Sequence, residues 1–415
     1  MAGIGNALMA VPMVRQIKRA WPAARMTILA RLGAIGDVYR RLPEVDEVLV
    51  TSKGIRGKWR DVSATRARKA DYYVIPFPSN RWQYALLAMT SGAKQRILHG
   101  YPVGFWKAMH FVPATRVPAE RKIHDVVQNL NLLRAIGIEP DPTEAPVFLV
   151  NDEDRARADE LLGPKLARDV RFVAIHAGSE ANTLARAKRW PAPNYARLIE
   201  AIVRDIGLHV VLLEGPSEQG VSTKITGHLD PAHLDPAVAN GGGVTTCHLR
   251  GSLGDAAAVL ERATLYVGSD SGLAHLAAAV GTRAVTLFAP ADPDRVSPFG
   301  NREFVVKAPQ SCDPCFLYPW DATYPTVRCH EPYCIDSIKL DEVLKTVRRA
   351  LDGQRSDSLF PVRRGEGRGE GQDAPPVGPR SHLRTAPTVE ATGSSTSHAA
   401  HPSPPPSPRS TGKRE

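Results

Sequence analysis

An α/β fold built of two doubly wound units is what this sequence predicts, and three observations carry the prediction. Short apolar runs bounded by Gly, Pro and polar residues alternate with longer segments whose apolar residues recur at three- and four-residue spacing. Such alternation places parallel strands between helices on both faces. The pattern is interrupted at residues 140–146, which hold three prolines, and then restarts. Finally, several turns that follow apolar runs in the second unit are made of Gly, Ser, Asp and Glu. Ligands of doubly wound sheets bind at the carboxyl ends of the strands, in a cleft such as two units create. The expected divisions are residues 1–150, 151–352 and a tail at 353–415.

The elements follow in chain order. Residues 7–20 read as a helix by their apolar spacing, closed by Trp21-Pro22. Strands are expected at 26–30, 45–50 and 72–77, and helices at 82–90 and 123–136. The last has Val126, Val127, Leu130, Leu133 and Ile136 on one face. Between them, Lys53, Arg56, Lys58, Arg60, Arg66, Arg68 and Lys69 face a single acid, Asp61. This stretch reads either as a solvated loop or as a basic rim for an anionic acceptor or a membrane surface. In the second unit, strands are expected at 170–174, 208–213, 265–267, 284–288 and 303–306. Helices are expected at 195–206, 256–263, 273–280 and 341–351. Residues 354–415 are rich in Pro, Ser, Arg and Gly with almost no aromatics, too little to bury a core, so the tail is expected to be disordered. Its 401–409 segment is biased to polyproline II and is read as solvated rather than as a ligand for a proline-reading module.

The chain has 415 residues, 43% of them hydrophobic, and a formal net charge of +10. The charge favours anionic partners: a nucleotide, a phosphorylated glycan, acidic lipid or nucleic acid. No nucleic-acid recognition motif accompanies it. No apolar run approaches the roughly 20 residues of a membrane span, and no charged segment precedes the first apolar residues, so no signal peptide is expected. Five cysteines, an odd count, suit reduced thiols in the cytoplasm. Cys247 reads as a lone buried thiol, and His124 and His209 as structural. Cys312-x2-Cys315 and Cys329-x4-Cys334, thirteen residues apart, read as a four-thiolate zinc clip or as loop thiols. The second pair is wider than a zinc ribbon prefers, and neither a metal nor a cofactor is expected.

The most informative stretch is 266–281. An apolar run breaks at Gly268, shows Ser269, Asp270 and Ser271, and enters a helix of small residues at Gly272. Free N–H groups and the positive end of a helix dipole then point at one spot, which suits a phosphate. An ordinary capped turn explains the polar residues equally well, but not His275 near the same helix end. Three more turns join it. His176-Ala177-Gly178-Ser179 follows one strand, Lys188-Arg189-Trp190-Pro191 comes after a loop, and Gly215-Pro216-Ser217-Glu218 follows another strand. A Lys–Arg pair neutralises a diphosphate, and Glu218 can accept hydrogen bonds from ribose hydroxyls. Each turn alone is a capped turn; together they describe a nucleotide-diphosphate pocket.

In this order the motifs resemble glycosyltransferase family 9, the lipopolysaccharide heptosyltransferases and their relatives. Residues 269–279, Leu287-Phe288-Ala289-Pro290-Ala291-Asp292-Pro293 and Gly3-Ile4-Gly5-Asn6 take part in the resemblance, which spans residues 3 to about 351. It implies a GT-B fold, two Rossmann-like domains facing across a cleft, with the acceptor on the first and the activated sugar on the second. It implies transfer of a sugar, typically heptose from ADP-heptose, to a lipopolysaccharide core or related glycan, with inversion and no metal. Ser179 and Lys188 would contact the phosphates, and Glu218 the ribose. Asp270, Ser271, Gly272 and His275 would hold the diphosphate and the sugar. The acceptor would be lipid-linked, and the enzyme cytoplasmic with peripheral contact to the inner membrane.

Two departures stand out. The heptosyltransferases carry an aspartate in the N-terminal loop as the general base, and the matching residue here is Asn6. An amide takes no proton at neutral pH. Another carboxylate then serves, or the acceptor differs, or activity is reduced; the competing reading is a degenerate transferase that binds nucleotide sugars as a scaffold. Asp37, in Gly33-Ala34-Ile35-Gly36-Asp37, mimics the missing motif but is read as a decoy, because the expected helix follows Asn6. The family also has a strand before the glycine loop. Its absence here is read as a start placed too late or a truncated gene, and predicts a poorly paired first sheet.

Overall fold

Among the described residues, five short strands in the first half form two separate parallel sheets. β1 (Thr27–Ala30) pairs with β2 (Glu47–Val50), while β3 (Tyr72–Val74), β4 (Gln95–Gly100) and β5 (Thr115–Pro118) form a second sheet in that order. β1 and β3 are not hydrogen-bonded to each other. The protein is described here by a computed structural model, in residues 3–80, 82–102, 111–164, 166–178, 187–231, 243–309, 319–320 and 334–352. The described residues fall in one compact unit. Ser179, Cys312, Cys315, Cys329 and the expected tail lie outside the described residues.

The second half holds one six-stranded parallel sheet. Its strands are β6 (Phe172–His176), β7 (His209–Glu214), β8 (Val244–His248), β9 (Leu265–Ser269), β10 (Ala284–Phe288) and β11 (Val305–Lys307), in the order β11-β10-β9-β6-β7-β8. β6, β7, β9 and β10 are buried along their whole length, which is why they read as unbroken apolar runs rather than alternating ones. The two-residue period of a strand sorts their side chains into two layers. Phe172, Ala174, Val211 and Tyr266 join one core with the helices Leu253–Arg262 and Gly272–Ala279. Val173, Ile175, Val210 and Val267 join the other with Ala192–Ala201 and Leu340–Asp352. That is the doubly wound arrangement.

The first core also takes Ala7, Leu8, Val11 and Val14. They come from the helices Ile4–Met9 and Val11–Ala20, which replace the single expected helix and meet at Ala10. Buried polar groups tie the halves as well. Arg295 grips Asp125 with its Nη2 at 3.0 and 3.2 Å from the two carboxylate oxygens. Within the first half, the backbone N–H of Phe77 donates to Asn129, whose amide donates to the Met9 carbonyl. His124 caps the helix Asp125–Asn131 and sits 2.8 Å from the Ser297 carbonyl. His209 lies 2.9 Å from the Thr245 hydroxyl, and Cys247 is buried, so all three residues sit where a structural role puts them.

A further expectation needs correction. Residues 52–70 are not a loop; Gly54–Ala67 is a helix. It was illegible because it buries none of its residues and so has no inward apolar stripe. The helices Gly33–Arg40 and Asp152–Leu162 and the strands β4, β5 and β8 were not foreseen either. β5 and β8 are edge strands, and each carries adjacent polar residues, Thr115-Arg116 and Thr245-Thr246, that break an apolar run.

Candidate functional site

The chain runs β6, β7, β8 to one edge of the six-stranded sheet, then returns to continue as β9, β10, β11 toward the other. The order therefore reverses between β6 and β9, which are hydrogen-bonded neighbours with His176 opposite Gly268. A crevice outside the carboxyl ends of the strands at such a reversal is where doubly wound sheets bind ligands. The turns after β6 and β9, singled out by their Gly, Ser and Asp content, are the two that flank it.

Backbone crowding explains the glycines. A Cβ at Gly268 would fall 2.5 Å from the Tyr266 hydroxyl and 2.6 Å from the His176 carbonyl, and one at Gly178 would fall 2.2 Å from Glu218 Oε1. Beyond Gly268, Ser269 is fully buried and its hydroxyl lies 3.4 Å from that of Tyr195. The Asp270 N–H donates to the Leu287 carbonyl on β10. Ser271 is the N-cap of the helix Gly272–Ala279, but its side chain makes no capping bond. Its hydroxyl lies 3.4 Å from the Tyr266 hydroxyl instead. The first-turn N–H groups of this helix thus lack the side-chain acceptor that an ordinary capped turn supplies.

Lys188 reaches the same turn. Its Nζ lies 2.5 Å from Asp270 Oδ2 and 3.3 Å from the Asp270 carbonyl. The segment is anchored by Trp190, which is buried, donates its indole N–H to the Ile338 carbonyl and meets Tyr195 edge-on at 5.2 Å. Glu218 closes the other side, 2.7 Å from His176 Nε2. Burial works to raise the Glu218 pKa, but the His176 hydrogen bond and charge oppose it, and the carboxyl lies below its ordinary value. It is an anion with acceptor capacity at neutral pH. Glu214, at the end of β7, accepts from the N–H groups of Gly220 and Ser222 and so fixes the loop that carries Glu218. That positioning role was not legible in the sequence.

The glycine loop at the N-terminus meets this site. A Cβ on Gly5 would fall 2.6 Å from His275 Cδ2, and one on Gly272 would fall 3.3 Å from Ile4 Cβ. The small residues of Gly272–Ala279 thus have their close neighbour, the helix Ile4–Met9, on which half-buried Asn6 follows Gly5. Asp37 lies elsewhere, on the helix Gly33–Arg40, with its carboxylate 2.5 Å from Arg40. Lys188, Glu218, Asp270, Ser271, Gly272, His275 and Asn6 are therefore gathered at one end of the second sheet.

Burial pushes the His275 pKa down to about 4 and that of His99 down to about 4 as well. Both rings are neutral at pH 7. Because the folded pKa values lie below the ordinary 6.5, the unfolded chain binds more protons between pH 6.5 and 4. The stabilisation is complete above that window and is lost as pH falls through it, up to about 3 kcal/mol per histidine. Burial raises Asp125 to about 6, which partly offsets the loss below pH 6. Urea midpoints are expected to fall between pH 6.5 and 4.5, and the fall should be shallower in His99→Gln; a flat profile would contradict the burial of these rings.

The sequence profile of glycosyltransferase family 9 (heptosyltransferase) matches residues 66–321. Lipopolysaccharide heptosyltransferase 1 of Salmonella typhimurium is 30% identical over 324 residues, which cover 68% of this chain and 94% of that protein. Lipopolysaccharide heptosyltransferase 3 of Escherichia coli K12 is 25% identical over 305 residues, 69% of this chain and 80% of that protein. Among solved structures, a family 9 glycosyltransferase from Veillonella parvula superposes with a TM-score of 0.67 at 18% identity, covering 84% of this chain and 95% of its own. The ADP-heptose heptosyltransferase II of Escherichia coli superposes with a TM-score of 0.64 at 19% identity, covering 86% and 98%. These two superpositions establish a shared fold.

Proposed function

The chain belongs to glycosyltransferase family 9, and from that premise we propose that it transfers a heptose from ADP-heptose to a lipopolysaccharide core or a related lipid-linked glycan, with inversion. It is a glycosyltransferase of GT-B fold. In the proposed division, residues 1–150 take the acceptor and residues 151–352 the donor. The enzyme would work in the cytoplasm, in peripheral contact with the inner membrane. The observation that carries the reading is the convergence of Lys188, Asp270 and the uncapped start of Gly272–Ala279 at the sheet's reversal.

Inversion follows from in-line displacement. The acceptor hydroxyl oxygen attacks the anomeric carbon opposite the diphosphate, the new C–O bond forms, and ADP leaves with the electron pair of the old one. Negative charge grows on the diphosphate as it leaves. Lys188 and the N–H groups of the helix end are placed to bind that charge, so the reading requires no metal. Ser179 would add a phosphate contact, Glu218 would hold the ribose, and neutral His275 with Asp270, Ser271 and Gly272 would orient the diphosphate and sugar. The hydroxyl proton passes to another carboxylate or, through water, to the departing diphosphate, because the Asn6 amide is not a base.

Incubation with ADP-heptose and a deep-core acceptor should release ADP and yield a glycan of inverted anomeric configuration. Nucleotide binding without turnover on any donor sugar would favour a scaffold. Lys188→Ala removes a charge-assisted contact and leaves Asp270 facing the phosphates. It should weaken ADP binding by about 10- to 100-fold in calorimetric titration, and unchanged affinity would count against the pocket.

A further inference from the structure

We propose that the helix Gly54–Ala67 docks the protein on the surface of an anionic lipid bilayer. The helix is inside out by the rules of a globular protein, whose helices turn their apolar stripe to the core. Ile55, Trp59 and Val62 share one face at helical spacing, and Ile55 is 79% and Trp59 71% exposed. The opposite face is small and polar. A Cβ on Gly57 would fall 2.5 Å from that of Ser52, the Asp61 carboxylate accepts the Ser52 N–H, and Arg68 donates to Glu47. Nothing in the packing of this helix requires Ile55 or Trp59 to be apolar.

Charge completes the pattern. Lys53, Arg56, Lys58, Arg60 and Arg66 are exposed around the apolar stripe. The acid of the helix, Asp61, accepts the Ser52 N–H and lies 4.0 Å from Lys58 Nζ, so cations outnumber acids on the exposed side, which carries Ser63 beside its cations and apolar groups. The neighbouring helix Trp82–Thr90 packs against it and adds exposed Trp82 and Met89. An apolar stripe with a tryptophan, rimmed by Lys and Arg, is the chemistry of a helix lying in the headgroup region of an anionic membrane. Among the described residues no helix is long and apolar enough to cross a membrane, which suits contact in the plane of the surface. A nucleic acid would be met by the cations but gives no use to Ile55.

The docking deepens the proposed function, whose acceptor is lipid-linked, and is measured apart from it. Full-length protein is sedimented, without donor or acceptor, with vesicles of phosphatidylcholine alone or mixed equally with phosphatidylglycerol. It should bind the mixed vesicles only and come off above about 0.5 M salt, where charges are screened within a few ångströms. Ile55→Ser/Trp59→Ser should weaken the binding at least tenfold, and Lys58→Gln and Arg60→Gln about fivefold each. The thermal melt should be unchanged in Ile55→Ser/Trp59→Ser, whose side chains are exposed, and little changed in the other two, which lose only the surface contacts of Arg60 with Ser52 and of Lys58 with Asp61. Brominated phosphatidylglycerol should quench a component of the tryptophan emission that Trp59→Phe lacks. No vesicle binding, equal binding to both vesicle types, or binding undiminished in Ile55→Ser/Trp59→Ser would overturn the proposal. So would tighter binding to an RNA homopolymer that the same double variant leaves intact. Turnover of a detergent-solubilised acceptor should survive that double variant; its absence in the wild type would instead refute the proposed reaction and leave the docking standing.

Discussion

Asn6→Asp should raise kcat by about 10²-fold or more with a deep-core acceptor, since a positioned general base contributes typically 10²–10⁴-fold. The geometry favours the substitution. Asn6 is the third residue of the helix Ile4–Met9, within its first turn, where a carboxylate is favoured by the helix dipole by about 0.3–1 kcal/mol. Stability should therefore hold or rise slightly. The residue before it touches His275 closely enough to exclude any side chain at position 5, so position 6 adjoins the proposed donor site. The proposed donor contacts lie on other segments, and the KM for ADP-heptose should stay unchanged. A gain from no detectable turnover would identify the native chain as a transferase-derived scaffold; a gain from measurable turnover would identify an enzyme lacking its strongest base. An unchanged or lowered kcat would show that the acceptor proton leaves by another route, and position 6 would then serve only to orient the hydroxyl.

The second half was legible because burial on both faces simplifies sequence. The expected strand at 284–288 coincides with β10, and those at 170–174, 208–213 and 265–267 are β6, β7 and β9 displaced or shortened by one or two residues. In the first half, β4 spells Gln95-Arg96-Ile97-Leu98-His99-Gly100 and β5 spells Thr115-Arg116-Val117-Pro118. Polar residues within these strands hide them from a search for apolar runs. The site divides similarly. Its glycines and small polar residues were visible because a turn needs them locally. The pairings Lys188–Asp270 and His176–Glu218, and the packing of Gly5 on His275, join residues far apart in the chain, and only the sheet order brings them together. The outward stripe of Gly54–Ala67 was hidden for the opposite reason, because apolar residues there obey the solvent-facing side of the helix and not the core.

Arg295→Ala is expected to destabilise the fold by about 3–5 kcal/mol, the range for stripping one partner from a buried ion pair. Arg295 is 5% exposed and Asp125 only 1%. The contact is bidentate, and the guanidinium also lies 5.6 Å from the centroid of Phe77 and 5.7 Å from that of Trp320. Truncation leaves a carboxylate buried without its cation. Its only relief is to take up a proton, which burial already favours, since the Asp125 pKa stands raised to about 6 with the arginine present. The loss should accordingly shrink as pH falls, because protonation removes the stranded charge. Arg295→Lys will not restore the stability, as an ammonium cannot grip two carboxylate oxygens or stack on two rings in the same way. Asp125→Asn/Arg295→Met removes both charges and keeps much of the volume, so it should lose far less than Arg295→Ala alone. Urea unfolding of the three variants at two pH values measures all of this. Equal losses in the single and the double variant would mean that packing against Phe77 and Trp320, and not the ion pair, is what Arg295 contributes. The pair spans residues 170 apart in sequence and joins the start of the helix Asp125–Asn131 to the segment after β10. Its loss should therefore also loosen the two halves against each other, read as faster proteolysis between residues 140 and 146.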